Sequence, residues 1–271
     1  MYLADYHTHS RLSPDGRASM AEMARAAYQA GLHEICFTDH VEPISWGTGA
    51  LRPLPYDWGT LSREFQEARA EMGDRMTLRL GIELGDAVQD FAHTEKLLEG
   101  CPDLDFVIGS IHMLSSAMGD MDLYNFQPRD EEEAHAGIRD YLEQVRRLTE
   151  WDGPFSVLGH LTLPLRYLNE LRGFHLTFDG YEKEVEQILR SLIAKGRGLE
   201  LNSNRGNDPL PGAPWLKMYR ELGGEIITIG SDAHVPAQVG CFIRERRELL
   251  KQCGFTKFCT FEKMQPIWHK L

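Results

Sequence analysis

Residues 225–234 read Glu225-Ile-Ile-Thr-Ile-Gly-Ser-Asp-Ala-His234. A β-branched run suited to a buried strand ends in a glycine. Behind the glycine stand a carboxylate and an imidazole, both of them metal-binding groups. The glycine leaves room for a close backbone approach. The same order recurs upstream. Predicted strands Tyr2–Tyr6, Glu34–Thr38, Thr77–Ile82, Phe106–Gly109, Ser156–Leu158, Gly198–Leu201 and Glu225–Ile229 lead into a second set of segments. These are His7-Thr-His9, Thr38-Asp39-His40, Gly81-Ile82-Glu83, Gly109-Ser110-Ile111-His112, Gly159-His160, Glu200-Leu201-Asn202 and Gly230-Ser231-Asp232-Ala233-His234. Every predicted strand thus delivers a polar residue at its C-terminal end.

Between the strands the apolar residues recur at three to four positions. This spacing predicts helices over Met20–Ala30, Leu61–Met72, Glu131–Glu150, Tyr181–Lys195, Trp215–Leu222 and Arg244–Cys253. Strand–helix alternation implies parallel strands with right-handed crossovers, in about seven units. The expected fold is α/β, a distorted (β/α)7 TIM-like barrel. In such a barrel the strand C-termini converge on one face, where active sites lie. Segments 42–59 and 202–214 read as long loops on that face. No linker divides the chain, so residues 1–271 are expected to form a single domain.

Composition narrows the function. The chain has 271 residues, 42% apolar and 26% charged, with a net charge of -12. That charge disfavours long polyanions, so no nucleic-acid partner is expected. No apolar run is long enough to span a bilayer. The N-terminus lacks the basic start and apolar core of a signal peptide, so the expected compartment is the cytosol. Cys36, Cys101, Cys241, Cys253 and Cys259 are odd in number and form no Cys-x-x-Cys pair, which counts against disulfides and thiolate zinc.

Of eleven histidines, six sit at strand ends: His7, His9, His40, His112, His160 and His234. One such histidine is readily explained as a packed or solvated side chain. Six at the same end of successive strands point to metal binding, with Glu83 and Asp232 as charged partners. His7 and His9 lie two apart, so both rings can face one ion.

These motifs, with Asp15-Gly16, resemble the ordered motifs of the polymerase-and-histidinol-phosphatase (PHP) family, in order from residue 7 to 234. Size and later motifs are similar to its histidinol-phosphate phosphatase branch. The resemblance implies three divalent ions, zinc, iron or manganese. One would take His7, His9, Glu83 and Asp232. A second would take Glu83, His112 and His160, with Glu83 bridging. The third would take Asp15, His40 and His234. It also implies basic residues on the phosphate, here Arg166 and Arg205, with Tyr167 and Asn202 beside them. One departure is Thr162, where the branch often carries Asp.

The expected reaction is hydrolysis of L-histidinol phosphate, with a hydroxide held between two ions attacking phosphorus. Glu83, Asp232, Arg166 and Arg205 are the expected catalytic residues. Glu42, Asp120 and Asp122 are candidates to meet the substrate ammonium group. The alternatives are a PHP-family phosphoesterase acting on another small ester or nucleotide, a metal-dependent amidohydrolase, and a non-enzymatic accessory barrel. An amidohydrolase would typically bring a strand-end lysine, and none is found. A degenerate barrel should have lost ligands, yet all nine positions hold competent residues. The oligomeric state has no signature in the sequence.

Overall fold

The computed structural model describes residues 1–46 and 48–271; Gly47, in the first long loop, lies outside them. Seven parallel strands stand side by side in chain order. They are β1 (Ala4–Asp5), β2 (Glu34–Val41), β3 (Thr77–Gly85), β4 (Phe106–Ser110), β5 (Val157–Leu158), β6 (Gly198–Asn202) and β7 (Ile227–Gly230). The two edges meet. Tyr6 N–H donates to Ile229 O at 3.0 Å, Asp232 N–H to His7 O at 2.9 Å and His9 N–H to Ala233 O at 2.8 Å. The sheet therefore curls into a nearly closed seven-stranded (β/α) barrel, as expected.

The helices are α1 (Met20–Gln29), α2 (Trp58–Met72), α3 (Phe91–Leu97), α4 (Glu131–Glu150), α5 (Leu163–Leu165), α6 (Glu182–Ala194), α7 (Ala213–Glu221) and α8 (Ile243–Gln252). Their starts are chemically marked. Ser19 and Glu22 form a reciprocal capping box on α1. Asp130 caps α4, whose first turn carries Glu131, Glu132 and Glu133 against the positive end of the helix dipole. On α6 the residues Val185, Ile188, Leu189 and Leu192 are buried against the barrel. All eight residues of β2 are buried, as a strand covered on both faces must be.

Three elements have no counterpart in the sequence reading. Helix α3 is a short element with a weak period. Helix α5 runs into a π-helical turn, Arg166–Leu171, a geometry often found at functional sites. The third is an antiparallel hairpin, β8 (Lys257–Glu262) and β9 (Gln265–Lys270). Its turn residues, Lys263 and Met264, both take positive φ without being glycine, so the usual turn signature is missing. The hairpin closes the N-terminal end of the barrel. Phe261 N–H donates to the Tyr6 hydroxyl at 2.8 Å, and Lys263 N–H to Asp105 Oδ1 at 3.0 Å. Among the described residues no helix is long and apolar enough to cross a membrane.

Candidate metal centre

The strand ends deliver all six histidines, with Asp15, Glu83 and Asp232, to the C-terminal mouth of the barrel. In three of the six, His7, His9 and His234, Nδ1 is tied to a protein acceptor and Nε2 is left for the centre. His7 Nδ1 lies 2.7 Å from Glu200 Oε1. His9 Nδ1 lies 3.0 Å from Ser13 Oγ. That hydroxyl donates its own proton to Asp39 Oδ1 at 2.7 Å, so it must accept from His9. His234 Nδ1 donates to its neighbour Asp232 O at 3.0 Å. Such partners set the tautomer and leave the Nε2 lone pair for a metal.

Around the centre, Glu83 is the hub. Its carboxylate lies 3.3 Å from His7 Nε2, 3.5 Å from His9 Nε2, 3.2 Å from His112 Nε2 and 2.9 Å from His160 Nε2. Asp232 Oδ1 is 3.6 Å from His7 Nε2 and 3.5 Å from His9 Nε2. Asp15 faces His234 Nε2 at 3.0 Å and His40 Nε2 at 3.8 Å. Ligand atoms within 4.8 Å of one another form the overlapping groups His7–His9–Asp232, His7–Glu83–His160, His40–Glu83–His112 and His9–His40–His234.

The donor set fits divalent cations. His7 Nε2, His9 Nε2, His234 Nε2 and Glu83 Oε2 are buried with no hydrogen-bond partner. Such unpaired atoms are costly unless something charged completes them. Burial pulls His7 down, but Glu200, Glu83 and Asp232 outweigh it and hold the ring well above its usual pKa. His112 is likewise held well above its usual value against burial, chiefly by Glu83. Glu83 and Asp232 resist burial in the opposite sense and stay well below the usual carboxylate range, beside His7 and Arg166 respectively. Charge of both signs is thus compressed into one buried space, a ready exchange of protons for metal ions.

Gly230 shows how tightly the wall is built. A Cβ there would lie 2.4 Å from His7 Cβ and 2.6 Å from Glu200 Oε1. The glycine read from the sequence is needed for space.

Beside the centre lies a cavity of about 390 Å³, lined in part by Trp46, Asp122, Tyr124, Asn125 and Tyr167. Arg166, 8% exposed, reaches it from the π-helical turn. Its guanidinium donates to Asp232 Oδ2 at 2.6 Å, Asn204 Oδ1 at 2.8 Å and Asn202 Oδ1 at 3.2 Å. Asn202 is therefore buried behind the arginine and holds it. Arg205 is placed differently. It is exposed, does not line the cavity, and takes φ 53 in the turn after β6. Of the three acidic candidates for the ammonium group, only Asp122 faces the cavity. Asp120 is exposed in a turn with φ 51. Glu42 is buried behind His40 and His112, a placement that corrects the expectation.

Glu200, Ser13 and Asp39, which support His7 and His9, do not stand out in the sequence as such. Glu200 carried a signal, since it lies two residues before Asn202 on β6 and so on the same side of the strand. For Ser13 no local signal exists.

The model of the PHP domain matches residues 5–204. The histidinol-phosphatase of Lactococcus lactis is 28% identical over 96% of this chain and 95% of that protein. A probable histidinol-phosphatase of Deinococcus radiodurans is 31% identical over 97% and 99%. The crystal structure of histidinol phosphate phosphatase from Lactococcus lactis, complexed with zinc, L-histidinol and phosphate, superposes with a TM-score of 0.81 at 27% identity, covering 98% of both chains. Motif order, barrel and domain match agree, and this chain belongs to the PHP family.

Proposed function

We propose that this protein is a metal-dependent phosphomonoesterase that hydrolyses L-histidinol phosphate to L-histidinol and phosphate, a step of histidine biosynthesis. One observation carries the reading. A chain that matches it from end to end, with the same barrel, is seen with zinc, L-histidinol and phosphate bound. The unpaired Nε2 atoms around Glu83 support a metal centre here independently. In this reading residues 1–271 work as a single domain, with the hairpin sealing the end opposite the site.

Three ions would be held by His7, His9, Glu83 and Asp232, by Glu83, His112 and His160, and by Asp15, His40 and His234. Bound there, they would supply an activated water and positive charge against the phosphoryl oxygens. The chain supplies the rest. Glu83, kept ionised between four rings, fixes the spacing of the first two ligand sets. Asn202 and Asn204 orient Arg166, whose planar fork suits a phosphate. Arg205, exposed on the left-handed turn after β6, is the rim candidate for a phosphate contact. Tyr167 walls the same side of the cavity.

The test is a comparison of kcat/KM on metal-reconstituted protein. Histidinol phosphate should exceed p-nitrophenyl phosphate, a sugar phosphate and a nucleotide by at least about a hundredfold, since pairing a buried substrate charge is worth a few kcal/mol. A different preferred ester would keep the phosphatase chemistry and overturn the substrate.

A further inference from the structure

We propose that Glu42 is a positioning residue shared by two metal sites. One carboxylate oxygen anchors both His40, of the third ion, and His112, of the bridged pair. The proposal rests on the metal-centre reading above and extends it.

Glu42 follows β2 directly and is 2% exposed. Its Oε1 lies 3.2 Å from His40 Nδ1 and 3.3 Å from His112 Nδ1. The two rings stand on different strand ends, with β3 between β2 and β4. Their meeting at one oxygen is built by β3. A Cβ on Gly85 would lie 2.8 Å from that oxygen and 2.9 Å from His112 Nδ1. The glycine conformation is ordinary, so its use there is space. Both Glu42 oxygens and both Nδ1 atoms are buried with no hydrogen-bond partner, so the two rings at ion-pair distance are what Oε1 has to meet. Arg52 Nη2, 3.8 Å from Oε2, favours the ionised carboxylate.

His40 Nδ1 also lies 3.0 Å from Glu83 Oε2. One N–H cannot serve both oxygens well. An ion on Glu83 would occupy that oxygen and leave Glu42 as the acceptor. A carboxylate on Nδ1–H fixes the tautomer and raises the basicity of the ligating Nε2. Because one oxygen serves two rings, its loss should weaken two ions together.

A different reading of the same atoms is a fourth cation on Glu42, Asp86 and His112, whose ligand atoms also lie within 4.8 Å of one another. It would require His112 to bind metal through both nitrogens, and Arg52 beside it opposes a cation.

The experiment is zinc titration against a chelator of known affinity, with elemental analysis, on wild type, Glu42→Ala and Glu42→Gln. Circular dichroism of the metal-free proteins checks the fold. Cobalt(II)-substituted protein reports ligand geometry through its visible spectrum. Glu42→Ala should weaken two of three ions by about 10- to 100-fold each. Glu42→Gln should lose less, because its amide oxygen can still accept from both rings. If Glu42→Ala does not fold, Glu42→Gln decides: wild-type zinc affinity and cobalt spectrum would overturn the proposal. So would weakening of one ion alone, or loss of a fourth ion with three unchanged. Fewer than two ions in wild type would remove the metal-centre reading and this proposal with it. Full wild-type loading with unaffected variants would remove this proposal alone.

Discussion

The two ends of the barrel bury the same kinds of side chain to opposite effect. At the N-terminal end Glu34, 2% exposed, accepts from the Tyr2 hydroxyl at 2.6 Å, from the Tyr6 hydroxyl and from Arg79 Nε at 3.1 Å. Arg79 also pairs with Glu262 of the hairpin at 3.0 Å. Each charge there has a partner. At the C-terminal mouth, Glu83 is buried as deeply, yet one of its oxygens and the Nε2 atoms of His7 and His9 around it lack partners. A satisfied buried network holds the fold together, whereas an unsatisfied one is a ligand site.

Substitutions at the two ends should separate cleanly. The largest effect is expected for Glu83→Ala, which removes the carboxylate that faces His7, His9, His112 and His160. Metal content and activity should fall together, kcat/KM by at least about 1000-fold, given that metal stabilisation is worth several kcal/mol. Normal ion content measured by elemental analysis would break the contrast.

Arg166→Ala comes next. Loss of a charge-assisted phosphate contact costs roughly 2–4 kcal/mol, or about 30- to 1000-fold in kcat/KM, with metal content near normal. Arg205→Ala, at the exposed rim, should cost about tenfold. Unchanged kinetics in both variants would show that neither holds the phosphate.

At the other end, Glu34→Ala should lower stability by about 3 kcal/mol, because it strands buried partners. Denaturant unfolding measures this. The kcat per metal-loaded molecule should be unchanged; a fall in kcat would mean the ends are coupled.

The smallest effect is in pH. Burial lowers His40, but Glu83 and Glu42 outweigh it and raise the ring to about 10 from 6.5. A raised histidine stabilises the metal-free fold below 6.5, and that contribution is lost as pH climbs toward 10. Metal must displace this proton, so zinc affinity should rise over the same range while metal-free stability falls. Zinc affinity that does not change between pH 6.5 and 8 would contradict a protonated metal-free site.

Much of the centre was legible because metal-binding residue types sit where a strand stops, and a barrel gathers strand ends by construction. His7, His9, Glu83, His112, His160 and Asp232 needed only that rule. The place of every strand was legible, its bounds less so: β1 and β5 are shorter than their apolar runs, β2 and β3 run three residues further, to Val41 and Gly85, and β7 starts two residues later, at Ile227. The hairpin was not, since Lys263 and Met264 give no turn signal.

What the amino-acid order by itself determined is the alternation of buried strands and amphipathic helices, and hence the side of the barrel on which the six strand-end histidines, Glu83 and Asp232 emerge. Periodicity is local, so it can be read locally. Only the closed barrel decided which carboxylate stands behind which ring. Glu42 looked like a loop acid open to substrate, but β3 brings it between His40 and His112, and Gly85 leaves the space. Arg166 and Arg205 looked alike, but the π-helical turn buries the first beside Asp232 and the left-handed turn leaves the second at the rim. Such pairings depend on register between strands far apart in sequence, and on close approaches over single glycines such as Gly85 and Gly230, neither of which any local pattern records.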